Sequence, residues 1–220
     1  MKRNQKHHLQ NLNLIDMETL YILPQKIFKF KCDSNLLDAT LESIREEQWF
    51  NSRGLGDDSP YLKQTVDKKL NKSIKYKNIH NWIEQCLIDV HKELRYDCDG
   101  FKITQSWANK CLYDKSLWPH YHSNSFISGI LYLTNSSTNT FFTTTDFWDK
   151  ESCLLMRNEQ VVTHEQPSVA GDLIIFPSSL PHAVGENKSH IDRYTLSFNA
   201  FPSGNIGSIE HLVGLEIDIK

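Results

Sequence analysis

Two periodicities divide the chain. After Asp33 and Ser34, which offer an N-cap, Leu37, Leu41 and Ile44 recur at helical spacing, predicting an amphipathic helix to about Trp49. Ile79, Ile83, Leu87, Val90 and Leu94 form a second stripe, predicting a helix from Asn78 to about Arg95. Ahead of the first helix, YILPQKIFKFKC (Tyr21–Cys32) reads as a strand, and residues 1–20 show no period and read as a loose lead-in. Between the helices, NSRGLGDDSPYLKQTVDKKLNKSIKYK is rich in Gly, Asp, Ser and Lys and reads as a long surface loop.

Beyond Asp97 the period changes to that of short strands punctuated by turn residues: FKITQSWANKCL, FISGILYLT, NTFFTTTDFW, EQVVTHEQPSV, DLIIFP, HAVGE and RYTLSFNAF. No helix-length apolar stripe interrupts them. The expected fold class is therefore α+β, mainly β: an antiparallel sandwich or barrel with its helices buttressing one outer face. One domain over residues 21–220 follows, with a helical front at 33–96 and a β core at 100–205.

Composition narrows this picture. A 220-residue chain that is 39% hydrophobic and 23% charged can bury a single core, and its net charge of −3 disfavours a basic nucleic-acid binder. The lysine run Lys63–Lys77 is accordingly read as a solvated loop. The first residues lack the apolar core of a secretory signal, and no stretch of about 18 apolar residues occurs. No membrane partner and a cytoplasmic location are expected. Five widely spaced cysteines without a CxxC pair argue for buried thiols rather than disulfides or a zinc site.

The ten histidines are the unusual count, and their placement decides the chemistry. In an extended WPHYHSNS segment, His120 and His122 point one way and Tyr121 the other, so two imidazoles can chelate one metal ion. His182, at the Pro181 turn after the buried DLIIFP run, is the third candidate. His7, His8, His80, His91, His164, His190 and His211 lack such context and read as surface or satisfied positions. Arg193 opens a strand in which Arg193, Thr195, Ser197 and Asn199 share a polar face, while Tyr194, Leu196, Phe198 and Ala200 share an apolar one. A guanidinium forks onto two oxygens and the Thr195 hydroxyl adds a donor, so this pair suits a carboxylate. Gln105, Trp107 and Asn109 also share a face. Gln105, Asn109 and Asn199 are expected as buried amides that orient a cosubstrate or substrate, and Trp107 as packing. Gly129 leaves room within a sheet, and Gly171 makes the turn into DLIIFP.

A histidine pair opening a strand, a distal histidine after FPSSLPH, and an arginine eleven residues beyond it resemble the iron(II)- and 2-oxoglutarate-dependent oxygenases. The segments PHYHSNSFISGILYLT, GDLIIFPSSLPHAV and RYTLSFNAFPSG are similar to a branch of these oxygenases frequent in marine phage genomes, for which the cytoplasm would be that of the host. The resemblance implies a double-stranded β-helix (jelly roll, cupin-like). It also implies an Fe(II) site on His120, His122 and His182, 2-oxoglutarate anchored by Arg193 and contacted by Tyr132, and O2 as oxidant for a second substrate. That substrate would be a protein side chain or a small molecule, met by the 51–77 and 135–139 loops. The departure is His122, since the family writes its first pair HxD or HxE. Either three imidazoles ligate the metal or one of the pair does so, with water or a distant acid such as Asp146 completing the site. Two other readings stay open: a non-catalytic metal-binding jelly roll, and a three-histidine dioxygenase that does not use 2-oxoglutarate.

Overall fold

A computed structural model describes residues 25–52, 59–143, 163–208, 210 and 213–219. Asp33 caps α1 (Ser34–Arg45), its carboxylate accepting from the Asn35 and Leu36 amides. Leu37, Thr40 and Ile44 put one buried stripe on the sheet beneath. The helix stops short of Trp49, which instead opens strand β2 (Trp49–Asn51). The second helix, α2 (Lys77–Leu94), buries Ile79, Ile83, Cys86, Leu87 and Val90 and ends on Arg95 in the left-handed conformation.

The first strand is β1 (Phe28–Lys31). The later strands are β3 (Lys63–Thr65), β4 (Cys98–Cys111), β5 (Leu117–His120), β6 (Ile127–Tyr132), β7 (Ser136–Thr143) and β8 (Thr163–Ser168), followed by β9 (Asp172–Pro177), β10 (His182–Val184), β11 (Arg193–Ile206) and β12 (Leu215–Ile217). They form two antiparallel sheets. The larger has the order β1-β9-β6-β11-β4-β3-β2 with β12 added to β11, and the smaller is β5-β10-β7-β8. The helices pack on the outer face of the large sheet, where Tyr194, Leu196, Phe198 and Ala200 join α1 and α2 in one core. Between the sheets, Ile130, Tyr132, Phe142, Ile174 and Phe176 make a second core. β6 is buried at every position, which explains why its sequence is mostly apolar rather than alternating.

The expected loop between the helices is corrected. Leu62, Leu70 and Tyr76 are buried, β2 and β3 extend the large sheet, and short 3-10 turns at Leu70–Lys72 and Ile74–Tyr76 lead into α2. Its apolar anchors are six to eight residues apart among lysines, a spacing with neither helical nor strand period. The 135–139 loop is also corrected, because Ser136 already pairs with Ser168 in the small sheet. Gly129 sits where a Cβ would lie 2.2 Å from the Phe198 ring, and Gly171 has φ +86° in the turn before β9. Four cysteines are thiols, three of them buried; Cys153 lies outside the described residues. No helix among those residues is long and apolar enough to cross a membrane.

Candidate metal and anion site

His120 ends β5 and His182 begins β10, and the two are direct cross-strand partners. His122 follows two residues after His120, its backbone amide bonded to the Ser178 carbonyl in the turn after β9. One ring nitrogen from each of the three lies within 4.8 Å of the other two. Their ring centroids are 4.4 to 5.4 Å apart. Tyr121 points away and is 64% exposed, as strand alternation requires.

The Nδ1 atom of every ring is taken. His120 Nδ1 lies 2.9 Å from the Trp118 carbonyl, and His182 Nδ1 lies 3.1 Å from the Leu180 carbonyl. His122 Nδ1 lies 2.6 Å from Asn199 Oδ1 and 2.9 Å from Ser128 Oγ. Carbonyl-type acceptors fix the proton on Nδ1, which leaves Nε2 as the lone-pair nitrogen of each ring. Burial holds His122 down at about 4, with the neighbouring His120 acting in the same sense and the Asn199 bond opposing it. Burial holds His182 well below its usual value, and both other imidazoles add to this. Phe176 and Phe142 supply much of that burial, their ring centroids 4.9 and 5.9 Å from His182. Neutral imidazoles are the form that binds metal.

The same cavity reaches Arg193, Thr195 and Ser197 on β11 and Trp107 and Asn109 on β4. Arg193 is 1% exposed. Its Nε donates to Ser168 Oγ at 2.8 Å and its Nη2 to Thr140 Oγ1 at 3.0 Å; no carboxylate pairs with it among the described residues. A buried guanidinium held only by neutral hydroxyls retains its charge and spare donors for an anion. Asn109 closes the floor, donating to Thr195 Oγ1 and Ser197 Oγ and accepting from Gln64 and Trp107.

Four expectations change. Tyr132 lies behind Arg193 instead of on the cavity wall: its hydroxyl donates to Thr140 Oγ1, and the guanidinium carbon sits 5.2 Å from its ring centroid. Asn199 turns its amide oxygen to His122 and Ser128, so it serves the imidazole cluster. Gln105 shares the Trp107–Asn109 face but is exposed, beyond the part of β4 that the cavity covers, so it is no buried amide. Trp107, expected as packing, forms part of the wall beside His122. The wall also includes Leu62 and Gln64, two residues apart on the segment expected to be a loop; that spacing was the one signal available. His80 is buried between the Tyr76 carbonyl and Ser106 Oγ, as a satisfied histidine. Asp146, His7, His8 and His211 lie outside the described residues.

A two-sheet β sandwich that brings three imidazoles and a buried arginine to one cavity is the architecture of a jelly-roll metalloenzyme. Residues 105–199 match the family described as "Putative 2OG-Fe(II) oxygenase". The match spans the segment that carries the three histidines and Arg193, and it is to the oxygenases that use iron(II) and 2-oxoglutarate. Solved structures share the fold. The epimerase SnoN from nogalamycin biosynthesis is 11% identical, with 84% of this chain and 82% of that one covered at a TM-score of 0.63. A Pseudomonas putida prolyl-4-hydroxylase is 14% identical, covering 82% and 94%, TM-score 0.58. HygX from Streptomyces hygroscopicus, with nickel and 2-oxoglutarate bound, is 10% identical, covering 81% and 83%, TM-score 0.61. No curated protein matches in sequence.

Proposed function

We propose that His120, His122 and His182 hold the iron through their Nε2 atoms and that Arg193 takes the carboxylate of 2-oxoglutarate remote from the metal. The observation that carries this reading is the pairing of two features in one cavity: three rings whose Nδ1 atoms are all bonded to acceptors, and a buried arginine without a carboxylate partner among the described residues. The donor set fits the metal, since neutral imidazoles suit ferrous iron and need lose no proton to bind it.

Bound iron(II) supplies the redox chemistry by which 2-oxoglutarate and O2 become succinate and CO2 while one oxygen atom enters the second substrate. The chain's own residues position the reactants. Arg193, fixed by Ser168 and Thr140, fork-binds the remote carboxylate, and the Thr195 hydroxyl can donate beside it because its oxygen already accepts from Asn109. Trp107, Ile130 and Val184 cover the imidazoles and limit water. His122 replaces a carboxylate, so the loaded centre is one unit more positive than the family's usual one. The substrate is a small molecule or a protein side chain that enters beside Trp107 and Gln64.

Anaerobic titration of the protein with iron(II) and then 2-oxoglutarate tests this. A charge-transfer band at one equivalent of each, with succinate formed on admitting air, is expected. Iron binding without the band or succinate would leave a non-catalytic metal module and overturn the proposal.

A further inference from the structure

The three imidazoles are not held in the same way. His120 and His182 rest on backbone carbonyls of Trp118 and Leu180, acceptors that belong to the strand geometry itself. Among the described residues, His122 is the ring whose Nδ1 partners are side chains. Its partner Asn199 lies on β11 of the other sheet, opposite Ser128 of β6 in register, and is almost buried. The amide oxygen of Asn199 receives two donors, His122 Nδ1–H at 2.6 Å and Ser128 Oγ–H at 3.0 Å. Ser178 Oγ lies 2.8 Å from Ser128 Oγ, and Ser125 Oγ lies 2.7 Å from Ser178 Oγ.

The direction at the Asn199 end of this chain follows from counting protons. Each serine has one hydrogen to give. Once Ser128 donates to Asn199, its oxygen is left to accept; Ser178 lies against both Ser128 and Ser125 and can donate to one of them, while Ser125 also faces the Ile127 carbonyl at 3.1 Å. Asn199 Oδ1 has no hydrogen, so it can only accept. The proton on His122 is thereby confined to Nδ1 and the lone pair to Nε2. The turn carrying His122 is tied to the same serines, since its amide donates to the Ser178 carbonyl and the Ser178 amide donates to the Phe126 carbonyl.

We infer that Asn199 is a positioning residue for the metal centre, which sets the tautomer and ring orientation of His122 and so makes the third imidazole a ligand. This rests on the reading that the three histidines hold iron. It assigns to Asn199 a role different from contact with cosubstrate or substrate. An acceptor on the far nitrogen also makes the ligating nitrogen more basic, and losing such a partner costs about 10–100-fold in metal affinity.

The test measures cobalt(II) and iron(II) affinity by chelator competition, with the cobalt(II) absorption spectrum as a report of coordination, in the wild type and in Asn199→Leu, Asn199→Asp and Ser128→Ala. Asn199→Leu is nearly isosteric and removes the acceptor; it should bind about 10–100-fold more weakly, with a changed cobalt spectrum. Asn199→Asp keeps the acceptor and should bind at least as tightly as the wild type. Ser128→Ala keeps Asn199 and should lose less than Asn199→Leu. If Asn199→Leu does not fold, Asn199→Asp decides: tight binding with the wild-type spectrum supports the role, and a tenfold loss overturns it. Wild-type affinity and spectrum in Asn199→Leu overturn this inference alone. A wild type that takes up no metal overturns both it and the iron site.

Discussion

The guanidinium of Arg193 lies over the face of Tyr132, 5.2 Å from the ring centroid, while both side chains converge on the hydroxyl oxygen of Thr140. The ring face offers the cation electrostatic compensation without neutralising it. Arg193→Gln should therefore weaken 2-oxoglutarate binding to the iron(II) protein by roughly 2–5 kcal/mol, the range for one side of a buried charge pair. Arg193→Lys should also bind poorly, because an ammonium cannot fork onto two oxygens. Calorimetric titration under anaerobic conditions measures both, and unchanged affinity in the Gln variant would remove Arg193 from the cosubstrate site.

Single replacement of His120, His122 or His182 by alanine should each reduce iron(II) affinity by more than the roughly 10–100-fold expected for a partner outside the coordination shell. Chelator competition separates the three. An alanine variant at His122 with wild-type affinity would return the site to two imidazoles and leave the third position to another donor.

Gly129→Ala should destabilise the fold by about 1–3 kcal/mol, because the new methyl would meet the Phe198 ring at 2.2 Å. Phe198→Leu should be destabilising alone. In combination with Gly129→Ala the two costs should sum to more than the double variant loses, since the shortened side chain vacates the contact. Urea unfolding of the four proteins gives the coupling, and strict additivity would show that the ring is not what excludes the methyl.

His80 supplies an acid-sensitive element away from the site. Burial lowers its pKa more than the Tyr76 carbonyl raises it. Below its ordinary pKa of about 6.5, the unfolded chain takes up a proton that the native chain refuses, so stability falls as pH drops below that value and rises with pH up to it. His122 and His182 act in the same sense, so the informative quantity is a difference. His80→Gln should lose less stability than the wild type between pH 6.5 and 5 in urea titrations. Parallel curves would exclude the histidine as a source of the slope.

Strand alternation made much of this site readable in advance. It placed His120 and His122 on one side with Tyr121 opposite, and split β11 into a polar face from Arg193 to Asn199 and an apolar face from Tyr194 to Ala200. Both patterns depend only on local geometry. What stayed hidden depends on distance between strands. Gln105 obeys the same alternation as Asn109, yet four residues of strand carry it from the cavity to solvent. Asn199 obeys the alternation too, but whether its amide meets a ligand or His122 is set by a turn about 77 positions away in sequence. Leu62 and Gln64 were masked by lysines and by the lack of any repeated period around them.

The cavity lies between the two sheets, which Arg193 already ties at one end through Ser168 and Thr140. His120 and His182 belong to the small sheet, and Arg193 to the large one. A ligand gripped at one end through the imidazoles and at the other by the guanidinium is therefore a rivet through the sandwich, and its binding energy becomes adhesion between the halves. Occupancy should then be audible well away from the chemistry, as slowed amide exchange along β5, β10 and the Arg193 end of β11 when iron and 2-oxoglutarate are added together.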